Sequence, residues 1–459
     1  MNIEQYTSEF KKNMQLAYPI MLGQLGHVLV GFADSIMVGE LGPAPLAAVS
    51  LANSLAFIAF SVGIGFTFAI TPLIAEAHTS NNIARGKSYF QHGILMSLVL
   101  SLVLCGVLFL MKPLLYKMGQ PEEVVAYASP YFDIVIYSMI PMLLFQAYKQ
   151  FSDGMSQTKF PMRAAIVANI INVGINYLLI TGKFGFPRME LIGAGLGTLI
   201  SRVLMLAFIM YIVHTKDVFS VFVERIRFSN IKKRFLLKVF HVGYPSALQM
   251  FFEVGMFAGG IILAGMIGTE AQAANQISLN LATMTYMIAV GLGVTATIRV
   301  GNQKGLKSFV DLKRIALSVL FLMLLIDIVL AIGFILLKDA LPMLYIQDIE
   351  VIKIAATLLI VAGLFQISDG IQVVLLGALR GLQDVKKPMV ITFVAFWVIG
   401  LPISYFLGVK TELGALGIWI GMLVSLTFSA IMLYLRFQKL TNYFISAQKD
   451  KTLESATKL

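Results

Sequence analysis

Long apolar runs separated by short polar breaks organise the whole chain. Uncharged stretches include residues 41–75, 388–409 and 413–435. Each exceeds the roughly 20 apolar residues that carry a helix across a hydrocarbon core about 30 Å thick. Runs and breaks together predict twelve spans, at 15–38, 46–75, 89–111, 126–148, 162–181, 191–214, 239–265, 272–298, 315–337, 351–378, 388–409 and 413–435. The pattern also repeats. Tyr18-Pro19, Gly39 and Gly42 recur 226 residues later as Tyr244-Pro245, Gly265 and Gly268. Each Tyr-Pro pair is expected to open a helix. Gly63 and Gly65 recur as Gly291 and Gly293, and Pro161-Met162 as Pro388-Met389. With six spans per half, the two halves enter the membrane in the same orientation. That predicts an all-α protein with a pseudo-twofold axis along the membrane normal, the plan of transporters whose two lobes rock about a central cavity. The expected domains are an N-terminal lobe (1–214), a basic linker (215–238), a C-terminal lobe (239–437) and a polar, disordered tail (438–459).

Composition agrees. The chain is 58% hydrophobic and 13% charged, with mean hydropathy +0.83, whereas soluble domains carry about a quarter charged residues. The first apolar stretch is too long for a signal h-region and a second span follows it, so no cleaved leader is expected. The lone Cys105 allows no internal disulfide and reads as a small apolar filler.

A net charge of +11 raises the question of nucleic acid. The distribution of the charge answers it. Loops on the side holding both termini carry 27 Lys and Arg, and the other side carries seven. By the positive-inside rule both termini are cytoplasmic, and the basic residues orient the protein rather than bind nucleic acid.

Ionisable side chains within spans are costly, by about 2.5–3.5 kcal/mol on insertion scales, and so are candidates for function. They are Asp34, Asp133, Arg202, Glu253, Asp327 and Asp369. By the repeat, Glu253 corresponds to His27, Asp34 to Gly260 and Asp369 to Met142, so the scaffold was duplicated and the carboxylates were not. At 1.5 Å per residue, Glu253 lies about 23 Å and Asp369 about 17 Å from the cytoplasmic end, where they can face each other. Two poorly hydrated carboxylates favour capture of a positive guest: a proton, Na⁺ or an organic cation. In the first half, Asp34, Asn176 and Thr198 lie about 9–12 Å from the outer end, with Asn172 one turn from Asn176. That set suits Na⁺ or a supported proton.

Other intramembrane residues read as structural. Asp133 is expected to be solvated near the outer interface, Arg202 to pair or snorkel, and Asp327 to stand alone. Gln24, Gln249 and Asn275, among other polar groups, could line a cavity. Met, with 24 copies, and aromatic residues could line one tolerant of many shapes. Pro19, Pro141, Pro245 and Pro402 fall inside spans and kink them. No catalytic grouping or Walker motif is visible, the five His residues lack metal-ligand spacing, and Gly193-Ala194-Gly195-Leu196-Gly197 has no preceding strand to make it a phosphate loop. An enzyme is therefore not expected, nor any cofactor or structural metal.

Several ordered motifs resemble those of the multidrug and toxic compound extrusion (MATE) transporters, in their bacterial NorM-type branch. They are Asp34-Ser35-Ile36-Met37-Val38-Gly39 with Leu46-Ala47-Ala48-Val49-Ser50, and Phe151-Ser152-Asp153-Gly154-Met155-Ser156-Gln157-Thr158-Lys159 with Pro161-Met162. Lys183-Phe184-Gly185, Gly193-Ala194-Gly195, Ala273-Ala274-Asn275-Gln276-Ile277, Arg299-Val300-Gly301 and Leu379-Arg380-Gly381-Leu382-Gln383-Asp384 follow. The resemblance covers residues 10–440. It implies two six-helix bundles around a V-shaped cavity, and export of cationic amphipathic drugs and dyes in exchange for Na⁺ or H⁺. Asp34, with Asn172, Asn176 and Thr198, matches the family's first-span carboxylate and its polar neighbours. Glu253 and Asp369 match the acidic pair of the second lobe. Where NorM-type proteins can carry a Tyr four residues before that last Asp, this chain has Phe365, which lacks the hydroxyl and retains a ring face for a cation. The expected protein is a monomeric exporter of the bacterial inner membrane whose partners are small organic cations and lipid. A flippase for lipids or lipid-linked precursors is the rival, disfavoured because phosphate would call for a cationic rather than an acidic cavity. A channel suits the two-lobed plan less well.

Overall fold

Every predicted span is a helix in the computed structural model, which describes residues 4–117, 121–223 and 231–456, with side chains as far as 450. Among the described residues, twelve helical spans are long and apolar enough to cross a membrane. They are α1 (Glu4–Gly39), α2 (Pro43–Thr79), α3 (Ile83–Tyr116), α4 (Glu122–Gly154), α5 (Lys159–Thr181) and α6 (Glu190–Thr215). The second six are α7 (Lys233–Ile267), α8 (Thr269–Gly305), α9 (Phe309–Leu336), α10 (Ile349–Gly381), α11 (Lys386–Val409) and α12 (Ala415–Ala456).

Two boundaries differ from the sequence reading. Pro19 and Pro245 do not open helices; they lie inside α1 and α7, each helix beginning well upstream. A proline removes one backbone donor and bends a helix without ending it when neighbouring helices hold both sides. The polar tail is not disordered through residue 456, because α12 continues to Ala456. Of the expected linker, residues 224–230 lie outside the described residues, and its last part already belongs to α7.

The chain divides into two compact units. The first holds Leu22–Phe251, and the second holds residues up to Met21 together with those from Phe252 onward. The changeovers therefore fall within α1 and α7, a few residues past each helix proline, rather than at the expected 214 and 239.

The duplicated glycines acquire physical reasons here. Gly42 and Gly268 sit at φ +119° and +158°, directly ahead of α2 and α8. Side chains other than glycine avoid that backbone region. The second glycine pairs serve packing. In the first unit, a methyl on Gly65 would lie 2.7 Å from the Ser246 carbonyl oxygen, just past the proline inside α7, and one on Gly63 would lie 2.6 Å from Leu143 of α4. In the second unit, Gly291 faces Met21 and Ala17 of α1, and Gly293 faces Val373 of α10. One glycine of each pair thus admits the helix arriving from the other repeat, the close approach that small residues permit in membranes.

The two units hold those arriving segments differently. In the second, Arg299 Nη2 donates to Glu9 Oε2 at 2.7 Å and its Nη1 donates to Asn13. Asn13 Nδ2 then donates to Ser318 Oγ at 3.1 Å. In the first, Phe235 of α7 meets Tyr89 edge-on at 5.3 Å, and the Lys232 amide donates to His92 Nε2 at 2.9 Å.

Candidate cation sites in the two units

Asp34 lies on α1 in the first unit. Asn176 of α5 donates from Nδ2 to Asp34 Oδ1 at 2.7 Å. The same Nδ2 donates to Asn172 Oδ1 at 3.3 Å, and Asn172 Nδ2 donates to Ser201 Oγ at 3.2 Å. Glycines make room for this chain of amides. A side chain at Gly197 would collide with Asn176 Oδ1, and one at Gly193 would lie 2.7 Å from the Leu179 backbone. The Gly193–Gly197 motif is therefore a packing seam between α5 and α6. Thr198 is not drawn into the carboxylate's hydrogen bonding; its hydroxyl donates to Ala194 O of its own helix at 3.0 Å.

A cation completes the first site. Arg202 lies one turn beyond Thr198 on α6. Its Nη1 donates to Ser138 Oγ at 2.6 Å, and its guanidinium sits 4.8 Å from the centre of the Phe60 ring. It is near enough to Asp34 and Tyr131 to act on both electrostatically. It neither snorkels nor makes a direct ion pair with Asp34. Asp133, by contrast, pairs with Lys112 at 2.7 Å, both side chains partly exposed.

Glu253 of α7 and Asp369 of α10 belong to the second unit, and the structure brings them within electrostatic range of each other. Both are buried, at 8% and 4% exposure. Tyr286 of α8 donates its hydroxyl to Glu253 Oε1 at 2.8 Å. Arg380 of α10 acts on Glu253 and Tyr286 from the same helix that carries Asp369. Asp369 Oδ1 has no hydrogen-bond partner. Asp327 does not stand alone: it acts on Asp369 as well. Sequence reasoning missed Tyr286 and Arg380. A Tyr among 16 carries no signal of its own, and the expected span 351–378 stops short of Arg380, which lies within α10. The helical spacing of Asp369 and Arg380 on one helix, eleven residues or about three turns, was the available clue.

The other candidates are distributed differently. Asn275 Oδ1 accepts from Trp419 Nε1 at 2.9 Å, and Phe365 packs on the same Trp419 at 5.3 Å and edge-on to Phe257 at 6.1 Å. Both sit in the second unit's side-chain core. Gln249 is buried in α7 and Gln24 half-buried in α1. A π-helical turn, Val394–Gly400, interrupts α11. Its Trp397 donates to the Phe252 carbonyl at 3.2 Å and fills the space beside Gly255, fixing the backbone on either side of Glu253.

Comparison with known proteins agrees with this architecture. The MatE family profile matches twice, over residues 19–178 and 245–406, so that Pro19 and Pro245 open the two matches. The multidrug resistance protein NorM of Photobacterium profundum is 31% identical over 98% of each chain. A probable multidrug resistance protein NorM of Pasteurella multocida is 32% identical over 99% of this chain and 98% of its own. Among solved structures, a Vibrio cholerae MATE transporter superposes with a TM-score of 0.88 at 20% identity, covering 96% of this chain and 98% of that one. A eukaryotic MATE transporter superposes with a TM-score of 0.86 at 19% identity, covering 96% and 99%. The twice-matched profile and the full-length relatives place this multi-pass membrane chain in the MATE family of multidrug efflux transporters, which are not enzymes.

Proposed function

We propose that this chain exports cationic amphipathic drugs and dyes across the bacterial inner membrane in exchange for H⁺ or Na⁺, by alternating access of its two six-span halves. It does so as a monomer with both termini in the cytoplasm. The observation that carries the reading is the buried acidic cluster of the second unit: Glu253 held by Tyr286, beside Asp369 with an oxygen lacking any partner. Carboxylates kept from water bind a positive guest strongly, and two of them beside one arginine leave a net negative site.

Glu253 and Asp369 bind the coupling ion or the organic cation, and exchange of one for the other drives the cycle. Each guest can shift the balance of states only by its differential affinity for them. Asp34, with Asn176 and Asn172, forms a second, weaker cation site in the first unit, where Arg202 already supplies positive charge.

Dye efflux from proteoliposomes, driven by an imposed Na⁺ gradient alone and then by a pH gradient alone, tests the reading. One gradient is expected to drive uphill dye movement. Failure of both, with correctly inserted protein, sinks it.

A further inference from the structure

Asp327 has no part in the exchange just described, yet it occupies the most apolar of the twelve spans. It is 1% exposed, and its Oδ2 has no hydrogen-bond partner. An ionised carboxylate in such surroundings is strongly disfavoured without a compensating positive charge. Its position on α9 is specific. The carboxylate rests against Gly370 of α10, the residue after Asp369, and a methyl there would strike Asp327 Oδ2. Met323, one turn away on α9, closes the same spot, 2.8 Å from that methyl position. Farther along the seam Gly363 meets Ala331, with a methyl there 3.2 Å from the Ala331 carbonyl oxygen, so the two backbones run close together.

Two further groups at this seam lack partners. Gln366, one turn before Gly370 on the same face of α10, is 4% exposed, and neither of its amide atoms is hydrogen-bonded. Asp369 Oδ1 is likewise unpartnered. Asp369 is the shared neighbour: Glu253 acts on it from α7 and Asp327 from α9, while Arg380 and Tyr286 act on Glu253.

We propose that Asp327 is a second coupling-proton site, loaded and emptied through Asp369, so that the second unit binds one more proton than the Glu253–Asp369 pair alone. This rests on the transport reading above. A proton suits the place better than a metal ion. A metal requires a shell of oxygen ligands, whereas Asp327 rests against Gly370, beside which lies the terminal methyl of Met323. Among the described residues, no group of three His, Cys, Asp or Glu is placed to hold a metal. Release follows loss of the proton on Asp369. The O–H bond breaks at Asp327 and forms on the vacant Asp369 oxygen, leaving the negative charge on Asp327. Chains of carboxylates serve as proton relays in other membrane pumps.

The test counts protons. Tetraphenylphosphonium is added to purified full-length protein in weak buffer with a pH indicator, and the protons released per bound cation are measured. Asp327→Asn is expected to bind the cation and release one proton fewer than the wild type. Asp327→Leu, which loses no hydrogen-bond partner, is expected to fold and show the same deficit. Gly370→Ala displaces the Asp327 carboxylate without removing it and is expected to lower release as well. Equal release from the wild type and all three variants overturns the proposal. So does a wild type that binds the cation and releases no proton, a result that leaves Na⁺-driven transport standing. A wild type that neither binds nor moves the cation defeats the transport reading instead.

Discussion

The first unit surrounds one carboxylate with amides and an arginine; the second gathers three carboxylates around a tyrosine and an arginine. Asp34 has its hydrogen bond from Asn176 and the field of Arg202 nearby. In the second unit, Asp369 instead feels two other acids and keeps an oxygen with no partner. Yet the scaffolds correspond closely, down to the positive-φ glycines before α2 and α8. Duplication preserved what the backbone needs and left the charges free to diverge. A unit that is already partly neutralised internally holds an incoming cation weakly, and one with surplus negative charge holds it strongly. The two clusters should therefore differ in how much transport depends on them.

The largest effect should come from the second unit. Glu253→Gln or Asp369→Asn is expected to abolish drug resistance, measured as minimum inhibitory concentration at equal membrane abundance. Wild-type resistance in both would erase the contrast between the units. Asp34→Asn should be milder, lowering dye efflux about tenfold, equivalent to roughly 1.4 kcal/mol of cation binding. Loss as complete as that of Glu253→Gln would make the two sites equals.

Arg202→Gln sharpens the comparison from the other side. Removing the resident positive charge should tighten cation binding in the first unit by about threefold, a modest factor because the guanidinium makes no direct ion pair with Asp34. Calorimetry on an Asp369→Asn background, where the second site is disabled, reads it directly; weaker binding would show that Arg202 positions the site rather than competing for it. The smallest effect is expected at Phe365→Tyr. The ring lies in the core on Trp419 and Phe257, so an added hydroxyl should cost about 1 kcal/mol of stability. It should leave Na⁺ dependence unchanged, as melting curves and ion-driven efflux would report. A gain of Na⁺ response would place residue 365 at the cation after all.

Much of the candidate site could be read from the sequence because a charge inside an apolar run stands out wherever its neighbours are. Asp34, Asn176 and Asn172 do meet, and Glu253 does lie near Asp369. What escaped was anything whose meaning depends on another helix. Tyr286 matters only because α8 places its hydroxyl 2.8 Å from Glu253. Asp327 seemed isolated because its neighbour, Gly370, lies 43 residues away on α10 and has no side chain to betray it. Polarity marks Asn275 as a candidate cavity residue and the family resemblance marks Phe365, but that both pack on Trp419 depends on a third helix. The polar tail was misjudged in a different way: its composition suggested disorder, and α12 continues through it to residue 456.

The sequence alone determined the twelve helices, their duplication and the presence of buried charge. Hydropathy and period are local quantities, written residue by residue along the chain. Only the tertiary structure decided that α1 and α7 change units partway along their length, and which acids share a neighbour. Those outcomes depend on close packing between segments hundreds of residues apart, at glycines such as Gly65 and Gly291. Such packing is a property of paired surfaces, and no single stretch of chain contains both.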